Sequence, residues 1–326
     1  MSQPTSDEAE LCRWLERACS ERLGRDIRIA TMQRRPSPFV SRFPADEIAI
    51  TTSTGERIGL FCKSLGDEES DHPEKQCRDR EIRIYEELLD GENGLPTPRY
   101  FGTRGDPLTG RTQLFLEHLD DWDLQYQELT YWFLAARHLA RLHAHFARQR
   151  ARLLRCDFLL HLDGSYLANW ARRAQAALAE WLPDLASQVE PVVTEYERVT
   201  DPIVRQPLTL VHNDLSPKNV VACRKSDPPR IALVDWEMAG VGCGVLDLVH
   251  LKHGLGVEDD QTMCAEYFRE LARQGLAVSE TDIAQLLAAC DLHITMYRLA
   301  FGKTWGVAIP TMAQWARDVQ RWYAQL

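Results

Sequence analysis

Residues 207–237 read PLTLVHNDLSPKNVVACRKSDPPRIALVDWE. Leu208–Val211 and Ile231–Val234 are short apolar runs of β character, each ending in a polar cluster. Asn219–Cys223 is a third run, and Lys225–Arg230 (KSDPPR) is a turn by composition. Pairing the last two runs as a hairpin sets Asn219 at the start of one strand and Asp235 at the end of its partner. Antiparallel pairing then brings both side chains to one end of the hairpin. An amide oxygen beside a carboxylate is a pair of hard ligands, which suits Mg²⁺ better than zinc or copper. Asp214 lies five residues before Asn219 in a Pro-containing loop, close enough to act on a group bound at such a metal. A carboxylate beside Mg²⁺ is the arrangement that phosphoryl transfer requires.

The run His212-Asn213-Asp214, with Asn219 after four intervening residues, then a hairpin and Val234-Asp235-Trp236-Glu237, resembles the core of the protein-kinase-like fold. Within that fold it is similar to the aminoglycoside phosphotransferase and choline kinase families of small-molecule kinases. Eukaryotic protein kinases carry H-R-D and D-F-G at these places. Here Asn213 precedes Asp214, and Trp236 and Glu237 follow Asp235; both departures favour the small-molecule branch.

The resemblance implies an α+β, two-lobed fold. Residues 1–118 would form an N-terminal antiparallel-sheet lobe that binds nucleotide, and residues 119–326 a larger, mainly helical lobe for catalysis and substrate. The implied reaction is Mg²⁺-dependent transfer of the γ-phosphoryl group of ATP or GTP to a hydroxyl of a small molecule. An antibiotic, another natural product, an amino alcohol or a sugar would all fit as acceptor.

Residue roles follow from the same resemblance. Asp214 would accept or orient the proton of the attacking hydroxyl, and Asn219 and Asp235 would hold Mg²⁺. Lys218 would neutralise the γ-phosphate or help orient Asp214. Lys63, at the end of the run Ile58–Cys62, takes the place of the strand lysine that grips the α- and β-phosphates; a lysine in mid-sheet is otherwise costly unless paired. Glu81, in REIRIYEELL, resembles the helix glutamate that pairs with it. Glu117 and Leu119 would offer backbone groups to the adenine edge. Between the first two strands, Arg34–Phe43 lacks G-x-G-x-x-G, and Ser37 and Ser41 are left as hydrogen-bond donors to phosphate. His212 is expected to brace the loop, and Asp247 to anchor it through backbone N–H groups.

Composition bounds the alternatives. The chain has 326 residues, 44% hydrophobic and 26% charged, as expected of a globular protein with room for two lobes. The formal net charge of −10 argues against nucleic acid as the main partner. No basic segment followed by an apolar stretch opens the chain, and no apolar run approaches the roughly 20 residues of a membrane span. The nine cysteines are scattered and none forms C-x-x-C, which reads as reduced, mostly buried thiols in a cytoplasmic protein. A monomer or homodimer is expected.

Elsewhere the periodicity predicts helices over 6–24, capped by Ser6, and from about Pro73 to Asp90 after an acidic loop at 67–71. Strands are expected at 26–33, 47–52, 57–63, 99–103 and 112–117. Helices follow over 127–148, over 165–200 with breaks at Pro183 and Pro191, and over 259–274, 279–299 and 311–325. The segment Trp236–Gly244 reads as a flexible glycine-rich turn, in which Cys243 between glycines could be exposed. His138, His143 and His145 do not converge as metal ligands; the first and last are about 10 Å apart along a helix. His250 and His253 read as structural. Asp291, Tyr297, Arg298 and Trp305 are candidates for an acceptor-site wall that would hold a cationic group by charge and cation–π contact.

Three rival readings remain: a protein Ser/Thr kinase, a non-catalytic nucleotide-binding regulator, and a hydrolase metal centre. The missing A-P-E segment opposes the first. Intact Lys63, Asp214, Asn219 and Asp235 oppose the second, although the glycine-poor loop favours it. The third lacks a further histidine or carboxylate near 212–235.

Overall fold

The computed structural model describes residues 6–39, 43–66, 72–77, 79–92 and 94–326. The expectations for Ser41, for 67–71 and for the Ser6 side chain fall outside what it describes. The chain divides into two compact units: Met1–Trp122 with Val221–Glu237, and Asp123–Val220 with Met238–Leu326. In chain order the elements are α1 (Ser6–Leu23), β1 (Ile29–Pro36), β2 (Ala45–Thr52), β3 (Arg57–Leu65), α2 (Arg80–Arg83), β4 (Tyr100–Gly105) and β5 (Thr112–Glu117). Then come α3 (Leu129–Ala147), α4 (Arg150–Leu153), β6 (Leu160–His161), α5 (Gly164–Trp181), α6 (Pro183–Thr194), α7 (Glu197–Val204) and β7 (Leu208–Val211). The remainder is β8 (Val220–Cys223), β9 (Arg230–Leu233), β10 (Gly240–Cys243), α8 (Val245–Leu251), α9 (Val257–Arg273), α10 (Glu280–Phe301) and α11 (Ile309–Tyr323).

In the first unit β1-β2-β3-β5-β4 form an antiparallel sheet. Leu11, Leu15 and Cys19, one helical face of α1, are buried with Ile48, Ile50, Ile58, Leu60, Cys62 and Phe115. The Trp14 ring lies 4.6 Å from that of Phe115. Because side chains alternate along a strand, putting Ile58, Leu60 and Cys62 on the α1 face sends Phe61 and Lys63 to the opposite face. Packing of α1 therefore fixes where the strand lysine points.

The helix expected from Pro73 begins only at Arg80, and residues 73–76 form turns. The Arg80 guanidinium binds the carbonyls of Glu74 (2.7 Å) and Glu237 (2.6 Å), so an oxygen that a longer helix would need is already engaged. Beyond Arg83 the backbone widens into a π-helical segment, Ile84–Leu89, ended by the Asp90 N–H on Tyr85 O at 2.8 Å.

The β8–β9 hairpin has the order read from the sequence. Within the first unit Leu233 N–H bonds Pro96 O at 2.8 Å. Arg224 pairs with Asp121 (3.0 Å), Lys225 with Asp120 (2.6 Å) and Arg230 with Glu117 (2.7 Å).

In the second unit β6-β10-β7 form a small sheet, with β10 antiparallel to β7 and parallel to β6. Residues 240–243 are thus a strand, not the expected flexible turn, and Cys243 is buried. The glycines are there for space: a Cβ on Gly240 would sit 2.3 Å from Leu162 Cδ1 and 2.7 Å from Leu160 O. Pro183 opens α6 in its first turn, where no N–H is needed. Pro191 lies inside α6 and does not break it. Among the described residues no helix is long and apolar enough to cross a membrane. All nine cysteines are free thiols, six of them buried.

Candidate active site

In the first unit Lys63, Glu81 and Asp235 meet. The Lys63 ammonium lies 2.6 Å from the carboxylates of both Glu81 and Asp235. Lys63 is 7% and Glu81 3% exposed, so these are desolvated charges that hold each other. Burial alone would push the Lys63 ammonium down, but Asp235 and Glu81 outweigh it and hold its pKa above the ordinary value. Burial pushes the Glu81 carboxyl up, against the pull of Lys63.

Asp235 sits at φ +69°, an uncommon conformation for a residue with a side chain. Trp236, fully buried, donates its indole N–H to Leu233 O at 3.2 Å, and Glu237 pairs with Lys75. The residues after Asp235 are thus tied down on both sides. Sequence reasoning assigned no role to Lys75 or Arg80, which hold Glu237.

Ser37 is buried; its N–H bonds Ala45 O at 2.8 Å, and Ala45 is paired with Lys63 across the sheet. Its hydroxyl donates to Glu47 at 3.3 Å and accepts from Phe39 N–H at 3.2 Å. At the end of β5 the Glu117 N–H bonds Arg99 O and the Leu119 carbonyl accepts from Asp121 N–H. Among the described residues the Leu119 N–H has no hydrogen-bond partner.

In the second unit the loop after β7 carries the other candidates. Asn213 is at φ +63°, which turns the chain just before Asp214. Asn219 is buried and donates from Nδ2 to the Asp214 carbonyl at 2.8 Å. That bond orients the amide and leaves its oxygen as the group on offer. Lys218, on the 3₁₀ turn Pro217–Asn219, is exposed.

Asp247 on α8 is fully buried. Its carboxylate accepts the N–H of His212 at 2.7 Å and of Asn213 at 2.8 Å, the anchoring role expected of it. Burial would raise its pKa, but the hydrogen bond from His143 and the backbone N–H of His212 hold it below the usual carboxylate range.

Of the expected wall residues, Asp291 takes Lys252 at 3.1 Å and Arg298 bonds His253 at 2.7 Å. Burial lowers the Arg298 pKa to about 10. Tyr297 lies in an aromatic cluster with Trp170 (4.8 Å) and Phe301 (5.3 Å), and Trp305, 51% exposed, stacks on Phe301 at 5.0 Å.

The model of the phosphotransferase enzyme family matches residues 52–288 of this chain. The chain belongs to that family. The match takes in Lys63, Glu81, Asp214, Asn219 and Asp235, whereas Ser37 precedes it. Among curated proteins none matches by sequence. Solved structures show the same fold. A choline kinase from Cryptosporidium parvum Iowa II is 11% identical over 90% of this chain and 88% of its own, with a TM-score of 0.57. The GDP complex of a variant aminoglycoside 2′-phosphotransferase-IIIa is 14% identical over 92% and 93%, with a TM-score of 0.56. Macrolide 2′-phosphotransferase MphH from Brachybacterium faecium is 15% identical over 92% and 96%, with a TM-score of 0.53. The α+β, protein-kinase-like fold and the small-molecule branch read from the sequence both hold. This phosphotransferase is a kinase with a hydroxyl as acceptor.

Proposed function

We propose that the phosphotransferase moves the γ-phosphoryl group of ATP or GTP to a hydroxyl of a small molecule, with Mg²⁺ as its metal. Support comes first from the buried Lys63–Glu81–Asp235 assembly. It is an anionic socket holding a cation, from which Lys63 would grip phosphate oxygens while Glu81 keeps it aimed. The Leu119 N–H and the Glu117 carbonyl would meet the adenine edge, whereas Ser37 would donate to phosphate only by giving up its N–H bond to Ala45 O or its hydroxyl bond to Glu47. The first unit would thus bind nucleotide and the second would carry catalysis and the acceptor.

The donor chemistry fits Mg²⁺: Asn219 has its Nδ2 engaged by Asp214 O, which leaves its amide oxygen as a hard ligand, and the Asp235 carboxylate is a second ligand of the same kind. Asn219 and Asp235 would hold the ion, whose charge, when bound, offsets that of the transferring group. Asp214 takes the proton of the acceptor hydroxyl as the new O–P bond forms and the nucleoside diphosphate leaves. Lys218, exposed beside Asn219, would neutralise phosphate charge.

Amino alcohols, aminoglycosides, macrolides and sugars are the acceptor classes to test first. The assay is acceptor-dependent ADP or GDP release across such a panel, with Asp214→Ala as the blank. Release that appears with one class and vanishes in the variant names the substrate. Release that persists in Asp214→Ala would overturn the assignment.

A further inference from the structure

Three buried side chains from three helices are hydrogen-bonded in series beside the loop that carries Asp214. The Tyr267 hydroxyl on α9 lies 2.8 Å from Nδ1 of His143 on α3. Nε2 of the same ring lies 3.3 Å from Oδ2 of Asp247 on α8. Asp247 in turn accepts the consecutive N–H groups of His212 and Asn213. Tyr267, His143 and Asp247 are 1%, 2% and 0% exposed.

The ends of the series fix its protons. An ionised carboxylate only accepts, so Nε2 carries the hydrogen shared with Asp247. A ring carrying that single hydrogen has Nδ1 as its acceptor, and the Tyr267 hydroxyl, 2.8 Å away, is the donor that meets it. Burial raises the Tyr267 pKa well above its ordinary value, which keeps that hydroxyl protonated. The backbone and one edge of the ring are held closely: Thr209 Oγ1 donates to the His143 carbonyl at 2.8 Å, and Gly244 lies so close that a Cβ there would be 2.5 Å from Nδ1. A histidine that merely filled space would need neither the hydroxyl nor the carboxylate.

What the series holds is the left-handed Asn213, at φ +63°, a conformation uncommon for a residue with a side chain. Asp214 is the next residue. A loosened carboxylate would let Asn213 relax and turn Asp214 away.

We propose that His143 is a positioning residue for phosphoryl transfer: held between Tyr267 and Asp247, it fixes the Asp247 carboxylate that aims the Asp214 loop. The proposal rests on the reading of Asp214 as the group facing the acceptor hydroxyl.

Glutamine and asparagine separate the two ends of the ring. His143→Gln sets an amide near the Nε2 position and can still donate to Asp247, whereas His143→Asn reaches only toward Tyr267. The account expects His143→Asn to lower kcat on the order of 10-fold or more while nucleotide KM stays within about 2-fold. His143→Gln should recover most of that loss, and Tyr267→Phe should fall between. A second readout is independent of turnover: the Asn213 amide in the ¹⁵N spectrum should exchange roughly 10-fold faster in His143→Asn and near the wild-type rate in His143→Gln. Unchanged kcat and Asn213 exchange in His143→Asn would overturn the proposal, as would equal losses in the Asn and Gln variants. If wild-type protein transfers no phosphoryl group, the functional reading fails, and Asn213 exchange still decides whether His143 holds the loop.

Discussion

Lys63 and Glu81 form a buried ion pair, ammonium to carboxylate at 2.6 Å, and the same ammonium is shared at 2.6 Å with Asp235. The strand, the helix and the segment after β9 each supply one member. Neither partner can leave without stranding a desolvated charge. Removal of one member of such a pair costs about 3–5 kcal/mol in general. Lys63→Met should therefore lower the unfolding free energy by several kcal/mol and weaken nucleotide binding about 10-fold or more. Chemical denaturation and titration calorimetry check both. Unchanged stability and affinity would contradict the ion-pair account.

Asp235 and Asp214 are expected to fail differently. Asp235→Asn should weaken Mg-dependent nucleotide binding together with turnover. Asp214→Asn should cost roughly 100-fold or more in kcat and leave nucleotide affinity within a few-fold. Binding isotherms with and without Mg²⁺ separate them, and equal Mg²⁺ dependence of binding in Asp235→Asn and wild type would sink the metal assignment.

Gly240 tests packing rather than chemistry. With Leu162 Cδ1 2.3 Å from where a Cβ would stand, Gly240→Ala should destabilise by about 1–3 kcal/mol. A thermal melt within a degree of wild type would show that β10 can shift to make room.

Stability should also fall on acidification before carboxylates titrate. Burial lowers the pKa of His250 and of His293 to about 3 from 6.5, with the Arg298 charge adding to the effect at His250. Both stay neutral when folded but bind protons when unfolded below about pH 6.5. The unfolded state therefore gains protons as pH falls, and stability drops between about pH 6.5 and 3 by up to ~1.4 kcal/mol per pH unit for each histidine. The Tm of His293→Gln should depend less steeply on pH than that of wild type between pH 7 and 5. Parallel curves would contradict this.

The hairpin from Asn219 to Asp235 and the α1 face were legible because local patterns carry them: short β runs around a KSDPPR turn, and apolar residues at helical spacing. The late start of α2 was not, because Arg80 engages carbonyls at Glu74 and at Glu237, 157 residues away. Glycines at 240 and 242 read as flexibility, since spacing alone cannot show that Leu162 presses on them. His143 looked like one of three unconnected histidines; its partners Asp247 and Tyr267 lie 104 and 124 residues on. Lys63, Glu81 and Asp235 were found by motif position, and their mutual distances needed the fold.

The most direct test of the central claim is ³¹P NMR of the reaction mixture containing Mg²⁺, nucleotide and the acceptor that gives diphosphate release. The account predicts a new phosphate monoester resonance on the acceptor with wild-type protein and none with Asp214→Asn. Inorganic phosphate alone, or an ester formed equally well by Asp214→Asn, would contradict it.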